Sequence, residues 1–101
     1  MAQLVEDSES KILFNLINES DRLPRDLTGG SANFIWSIDA GVAKTVSMAL
    51  EDAALGRVSH RFSAGDLVPG VLRGDVESTD SGGNTIRATD IVRVQIRRKI
   101  T

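Results

Sequence analysis

The 101-residue chain contains no cysteine, no tyrosine, one histidine and one tryptophan. Without cysteine it forms no disulfide and no thiolate metal site, and a lone histidine leaves a zinc-type site without partners. No run of about eighteen apolar residues and no basic-apolar leader occurs, so we expect neither a membrane span nor a signal peptide. The shortage of nucleophilic, acid–base and metal-ligating side chains favours a binding or structural protein over an enzyme, with no cofactor.

Charge is almost balanced in total but uneven along the chain. Twelve basic and fourteen acidic residues give a formal net charge of −2, which argues against nucleic acid as a partner. Residues 1–10 contain Glu6, Asp7 and Glu9 and no base, and we interpret them as an acidic N-terminal arm. Since this length suits one domain, we assign residues 11–101 to a single domain.

Apolar and polar side chains alternate over most of residues 11–101, which predicts extended strands. The predicted strands cover residues 11–18, 32–38, 42–50, 57–62, 71–79 and 92–100, with a return strand from Thr85. A short helix is expected over residues 51–55, ended by Gly56. Residues 80–84, DSGGN, give a strong hairpin-turn signal. Short strands at this spacing are typical of an antiparallel β-sandwich.

Several short elements occur in a characteristic order along the chain: DLTG at 26–29, GRVSHRF at 56–62, Asp66 followed by PG at 69–70, and an acidic, glycine-containing hairpin at 77–84. In this order they resemble the immunoglobulin-like sandwich domains of bacteriophage tail and baseplate proteins, such as the N-terminal domain of siphophage baseplate upper proteins. The chain differs from that family at His60, where a tyrosine is usual. The resemblance implies an all-β, antiparallel immunoglobulin-like β-sandwich of about six or seven strands.

The same resemblance implies a function. We expect a non-enzymatic virion structural protein, synthesised in the host cytoplasm and incorporated into a tail or baseplate, where it contacts other tail, baseplate or fibre proteins. Two alternatives stay open: a capsid decoration protein, and a small cell-surface or carbohydrate-binding module. The second alternative is disfavoured because the chain has one tryptophan and no tyrosine, whereas sugar sites usually need exposed aromatic faces.

Basic side chains alternate along the last predicted strand, at Arg93, Arg97 and Lys99. One interpretation is that charge protects an edge strand from unwanted pairing. Another is a docking surface for an acidic partner, including the acidic arm of a second copy in a homo-oligomer. A third, phosphate contacts to nucleic acid, is disfavoured by the negative total charge. The candidate protein-interaction residues are Glu6, Asp7, Glu9, Arg93, Arg97 and Lys99.

Two conspicuous features have ordinary structural explanations. Arg73-Gly74-Asp75 spells a tripeptide that some cell-surface receptors bind on exposed loop tips, but it falls in a predicted strand, which favours a chance match. His60 alternates with Val58 and Phe62, and no second histidine or cysteine exists to complete a metal site. We therefore expect His60 to be a core-edge residue with one hydrogen bond.

Overall fold

The computed structural model describes residues 3–5, 10–18, 20–63 and 65–98, with the backbone alone for residues 3–5. Eight strands are formed by these residues: β1 (Gln3–Val5), β2 (Lys11–Asn15), β3 (Ser31–Ile38), β4 (Lys44–Ser47), β5 (Ala49–Asp52), β6 (Arg57–Arg61), β7 (Gly70–Thr79) and β8 (Thr85–Arg97). A 3₁₀ turn, Ala53–Leu55, follows β5. No helix among the described residues has the length and apolarity that crossing a membrane requires.

The described strands form two sheets that enclose a common core. One sheet has five strands in the order β1-β8-β7-β3-β4, and the other has three in the order β2-β6-β5. Neighbouring strands are antiparallel, except that β1 runs parallel to β8. A three-stranded sheet facing a sheet with β3, β7 and β8 at its centre is the strand order of an immunoglobulin-like sandwich. The predicted fold class is confirmed.

The core is built from alternate residues of the facing sheets. In β3, Ala32, Phe34 and Trp36 are all buried, as the alternation predicts. Trp36 packs edge-on against Phe62, with 5.3 Å between ring centroids, and Phe34 contacts the same ring from 6.2 Å. Burying one large apolar side chain stabilises a fold by roughly 1.5–3 kcal/mol, so this cluster is a principal source of stability. A tryptophan on the third strand of the sandwich thus packs on phenylalanine instead of on a disulfide.

The predicted strand at residues 42–50 is wrong as a single element. Its two halves, β4 and β5, belong to different sheets. Between them Met48 is buried, and its backbone N–H donates to the carbonyl oxygen of Ala32 at 2.9 Å. The chain changes sheet at this residue without interrupting the apolar alternation, so periodicity alone does not detect the crossing.

The helix predicted over residues 51–55 is also largely wrong. Glu51 and Asp52 continue β5, and a single 3₁₀ turn follows over Ala53–Leu55. Gly56 ends that turn in the left-handed conformation, with φ of 64°, as predicted. A side chain here would also lie too close to the backbone carbonyl oxygens of Leu16 and Arg25, so glycine is required on two grounds.

The two strands predicted at the C-terminal end are one continuous strand, β8. Gly74 pairs with Val92 and Val76 pairs with Ala88, so the three residues 89–91 of β8 lie opposite Asp75 alone. This bulge contains Asp90 with φ of 52°, and the Asp90 N–H donates to Oδ1 of Asp75 at 2.7 Å. The bulge accounts for the apparent break between two strands, because it interrupts the alternation without ending the pairing.

Candidate functional site

Basic side chains gather at one end of the outer face of the five-stranded sheet. Arg93 and Arg97 of β8 are exposed and alternate with buried neighbours, so both lie on the outer face. Arg73 of β7 is exposed on the same face and is the direct pairing partner of Arg93. We call Arg73, Arg93 and Arg97 the basic end.

Carboxylates offset little of this charge among the described residues. Arg93 pairs with Asp90 at 3.7 Å, and both side chains are about half exposed. Arg73 and Arg97 form no ion pair with any described residue. Like charges directly opposite each other destabilise a sheet, so the pairing of Arg73 with Arg93 costs the fold stability.

The other half of the outer face is neutralised within the chain. Oδ2 of Asp75 accepts hydrogen bonds from Nε and Nη2 of Arg87, at 3.0 and 2.8 Å. Burial raises the pKa of Asp75, but the Asp90 N–H and the Arg87 guanidinium outweigh it and hold the pKa below its ordinary value. The charge of Arg87 is therefore neutralised by Asp75, and the surplus of positive charge on β8 begins after the bulge, at Arg93.

The structure describes two of the six candidate interaction residues. Arg93 and Arg97 share the exposed face that the alternation predicts. The other four, Glu6, Asp7, Glu9 and Lys99, lie outside the described residues. Arg73 was missed by the sequence analysis because it belongs to a different predicted strand. The hairpin turn at 80–84 indicates that β7 lies alongside β8, but it does not identify Arg73 as the residue opposite Arg93, because the bulge shifts the register.

The edge-strand interpretation of β8 holds for only part of the strand. On the side of β8 that faces away from β7, β1 pairs with Gln95, Ile96 and Arg97. Arg97 is therefore not at a free edge, which corrects that interpretation. Among the described strands, none pairs with residues 85–94 on this side, so the free edge begins at Thr85 and includes Arg93.

An apolar cleft lies beside this free edge. It has a volume of about 370 Å³ and is lined by Ile17, Ile86, Arg87, Ala88 and Thr89. Ile86 pairs with the buried Ser78, so it is on the inner face of its sheet, yet 52% of it is exposed. Ile17, which follows β2, is 53% exposed. The three-stranded sheet thus leaves the turn end of the β7–β8 hairpin partly uncovered.

His60 lies at the edge of the core, as predicted. Its ring is partly buried against Phe34 and Phe62, at centroid distances of 5.7 and 4.9 Å. Burial lowers the pKa of His60, and the negative charge of Asp66 opposes that shift. Its Nε2 atom has no hydrogen-bond partner among the described residues, so the expected single hydrogen bond is not found at that atom.

The Arg-Gly-Asp tripeptide is part of β7 and not of a loop tip. Gly74 is buried, and a Cβ placed on it would lie 2.5 Å from an atom of the Phe34 ring. Asp75 is held by Arg87 and the Asp90 amide. The tripeptide therefore has a structural role, in which glycine allows the core phenylalanine to approach the sheet. Among the described residues, no three potential metal ligands form a cluster.

Comparison with protein-family models, with curated proteins and with solved structures found no match for this chain. A functional hypothesis therefore depends on the order of its sequence elements and on the surfaces that its own residues form. Two such surfaces stand out among the described residues: the basic end, and the free edge of β8 with the cleft beside it.

Proposed function

We propose that the protein is a non-enzymatic structural subunit of a bacteriophage virion, located in the tail or baseplate or at a fibre attachment point. It acts through contacts with other virion proteins. The order of the DLTG, GRVSHRF and PG elements supports this proposal through its resemblance to tail and baseplate sandwich domains. The immunoglobulin-like architecture is compatible with it, although a fold of this kind serves many functions.

The observation that carries the proposal is the free edge of β8 beside the apolar cleft. Unpaired strand edges offer backbone donors and acceptors to a strand of another chain. The bulge at 89–91 protects part of this edge, but Ile86 and Ile17 stay half exposed next to it. An extended segment of a neighbouring virion protein would pair with residues 85–88 and place an apolar side chain against these two isoleucines.

The carbohydrate-binding alternative loses support from the placement of the aromatic rings. Phe34, Trp36 and Phe62 are buried, and Phe14 is only partly exposed. These four residues are all the aromatic residues of the chain, so no fully exposed ring is present to stack on a sugar. The capsid decoration alternative uses the same kind of contact surface, and the location of the protein on the particle distinguishes it from a tail subunit.

The test uses particles of the encoding phage assembled without this protein. Fluorescently labelled protein is mixed with purified heads and purified tails, followed by cosedimentation and immunogold electron microscopy. We expect association with tails that Ile86→Asp weakens and Val42→Asp leaves intact, since Val42 is 91% exposed and lies outside the cleft. Association with heads alone would support the capsid alternative, and association with neither would contradict both.

A further inference from the structure

We propose that the basic end binds an acidic segment of a partner protein, whose carboxylates pair with Arg73, Arg93 and Arg97. This inference depends on the proposed function, because it gives the chemistry of one surface of the partner. None of these three arginines lines the cleft, so the two surfaces are testable separately with different variants.

The first argument is energetic. Arg73 and Arg93 are direct pairing partners, are exposed, and have only the long Asp90 contact at 3.7 Å as compensation among the described residues. Two cations placed opposite each other disfavour folding. A carboxylate bound between them is attracted to both, and these attractions outweigh the mutual repulsion of the two cations. The arrangement that is unfavourable in the free protein is therefore favourable in a complex with an acidic partner.

The second argument is geometric. Direct partners in an antiparallel pair have Cα atoms about 5 Å apart, so one carboxylate can contact both Arg73 and Arg93. Arg93 and Arg97 are four residues apart on one strand, which corresponds to about 13 Å. An extended acidic segment has the same spacing between side chains at positions i and i+4 of one face. Guanidinium groups bind carboxylates through paired hydrogen bonds, which suits arginine at all three positions.

A protein partner fits these observations better than nucleic acid does. The chain has a net charge of −2, and beyond the basic end the outer face of β7 and β8 has no surplus of positive charge, since Asp75 neutralises Arg87 and Glu77 lies opposite it. A continuous phosphate backbone would need cations along the whole face, whereas an acidic protein segment needs to match only the basic end. Stacking on bases is also unsupported, because no aromatic residue is on this face.

The experiment measures binding of a labelled synthetic peptide of alternating serine and glutamate by fluorescence anisotropy at low ionic strength. We expect Arg73→Gln with Arg93→Gln to weaken binding roughly tenfold. The matched control, Arg22→Gln with Arg57→Gln, removes the same charge from exposed residues elsewhere, one of them on β6 of the other sheet. We expect the control to change affinity by less than about twofold.

A second measurement separates binding from folding. Because Arg93 faces a like charge, Arg93→Gln should leave the urea unfolding midpoint unchanged or raise it while weakening peptide binding. A lower midpoint would indicate a structural role and would overturn the inference. Equal loss of binding in the control variant, or tighter binding of a DNA oligonucleotide of the same length, would also overturn it.

The outcomes distinguish this inference from the proposed function. If the Arg73→Gln, Arg93→Gln variant associates with tails as strongly as the unmodified protein, the inference is wrong and the proposed function stands. If the glutamate peptide binds at the basic end but no tail component does, the proposed function is wrong and the chemistry of this surface stands.

Discussion

Arg25 is a buried arginine that links two distant parts of the chain. Only 6% of the residue is exposed. Its Nε donates to Oγ of Ser78 at 2.8 Å, and its Nη2 donates to the carbonyl oxygen of Asn84 at 3.0 Å. The arginine thereby fastens the connection between β2 and β3 to the hairpin between β7 and β8. We predict that Arg25→Met destabilises the protein strongly.

The magnitude follows mainly from these two hydrogen bonds, since the third, from Nη2 to the carbonyl oxygen of Ser78, is long at 3.4 Å. Each hydrogen bond made by a charged group contributes about 1.5–3 kcal/mol, and Ser78, itself buried, would lose its donor. Removing a buried guanidinium also relieves its desolvation, which offsets part of that loss. We expect Arg25→Met to lower the free energy of unfolding by about 2–4 kcal/mol, out of a total of about 5–15 for a domain. Arg25→Lys keeps the charge but not the fork of donors, so it should lose about half as much.

Urea unfolding followed by tryptophan fluorescence measures this effect, because Trp36 is the single tryptophan and is buried. Arg22→Met is the matched control, since Arg22 is exposed in the same connection. It should change the free energy of unfolding by less than about 0.5 kcal/mol. A double-mutant cycle of Arg25→Met and Ser78→Ala should show a coupling of about 1 kcal/mol.

Two results would refute this reasoning about Arg25. If Arg25→Met unfolds at the same urea concentration as the unmodified protein, the desolvation of the guanidinium cancels its hydrogen bonds. If Arg25→Met and Ser78→Ala have strictly additive effects, the 2.8 Å contact contributes nothing specific to stability.

Three further predictions concern single side chains. Gly74→Ala should lower the free energy of unfolding, measured in urea, by about 1–3 kcal/mol, because the added Cβ overlaps the Phe34 ring. If the variant is as stable as the unmodified protein, this description of the packing is wrong. Burial places the pKa of His60 below its ordinary value of 6.5, so the unfolded chain takes up this proton first as the pH falls. The stability that depends on neutral His60 is complete above pH 6.5 and is lost as the pH drops through the folded pKa, and His60→Gln should remove this part of the pH dependence. The hydrogen bond from the Asn84 N–H lowers the pKa of Asp80 below 3.8, so the ionised carboxylate stabilises the fold at pH 7. Asp80→Asn should therefore lower the urea midpoint at pH 7. The difference between the variant and the unmodified protein should disappear as the pH falls through the pKa of Asp80 in the folded state.

The strands were predictable wherever one face of a segment enters the core. The alternation in β3 follows from the burial of one face, and it placed Phe34 and Trp36 correctly. In β6 it placed Val58 correctly, although Ser59 on the opposite face is buried as well. Burial in the connections was not predictable in the same way. Leu27 and Leu67 are fully buried although they lie outside the strands, and one or two apolar residues in a connection are too few to show a periodicity. The buried Arg25 was missed because its partners lie 53 and 59 residues away.

The candidate site was likewise predictable from the sequence only in part. The even spacing of Arg93 and Arg97 was visible in the sequence, since side chains two residues apart share a face of any strand. The partner of Arg93 was not visible. Thr79 pairs with Thr85 next to the hairpin turn, and an uninterrupted ladder from that pair would place Val71 opposite Arg93. The bulge shifts the register by two residues and brings Arg73 there instead.

The sequence by itself determined which segments are extended, which of their faces are apolar and where the hairpin turns, because these depend on side chains a few residues apart. Only the tertiary structure decided which strands are neighbours, where the chain changes sheet at Met48 and which charges meet on the outer face. Those outcomes depend on contacts between residues far apart in the chain, such as the hydrogen bond from the Asp90 N–H to Asp75 that holds the bulge in place.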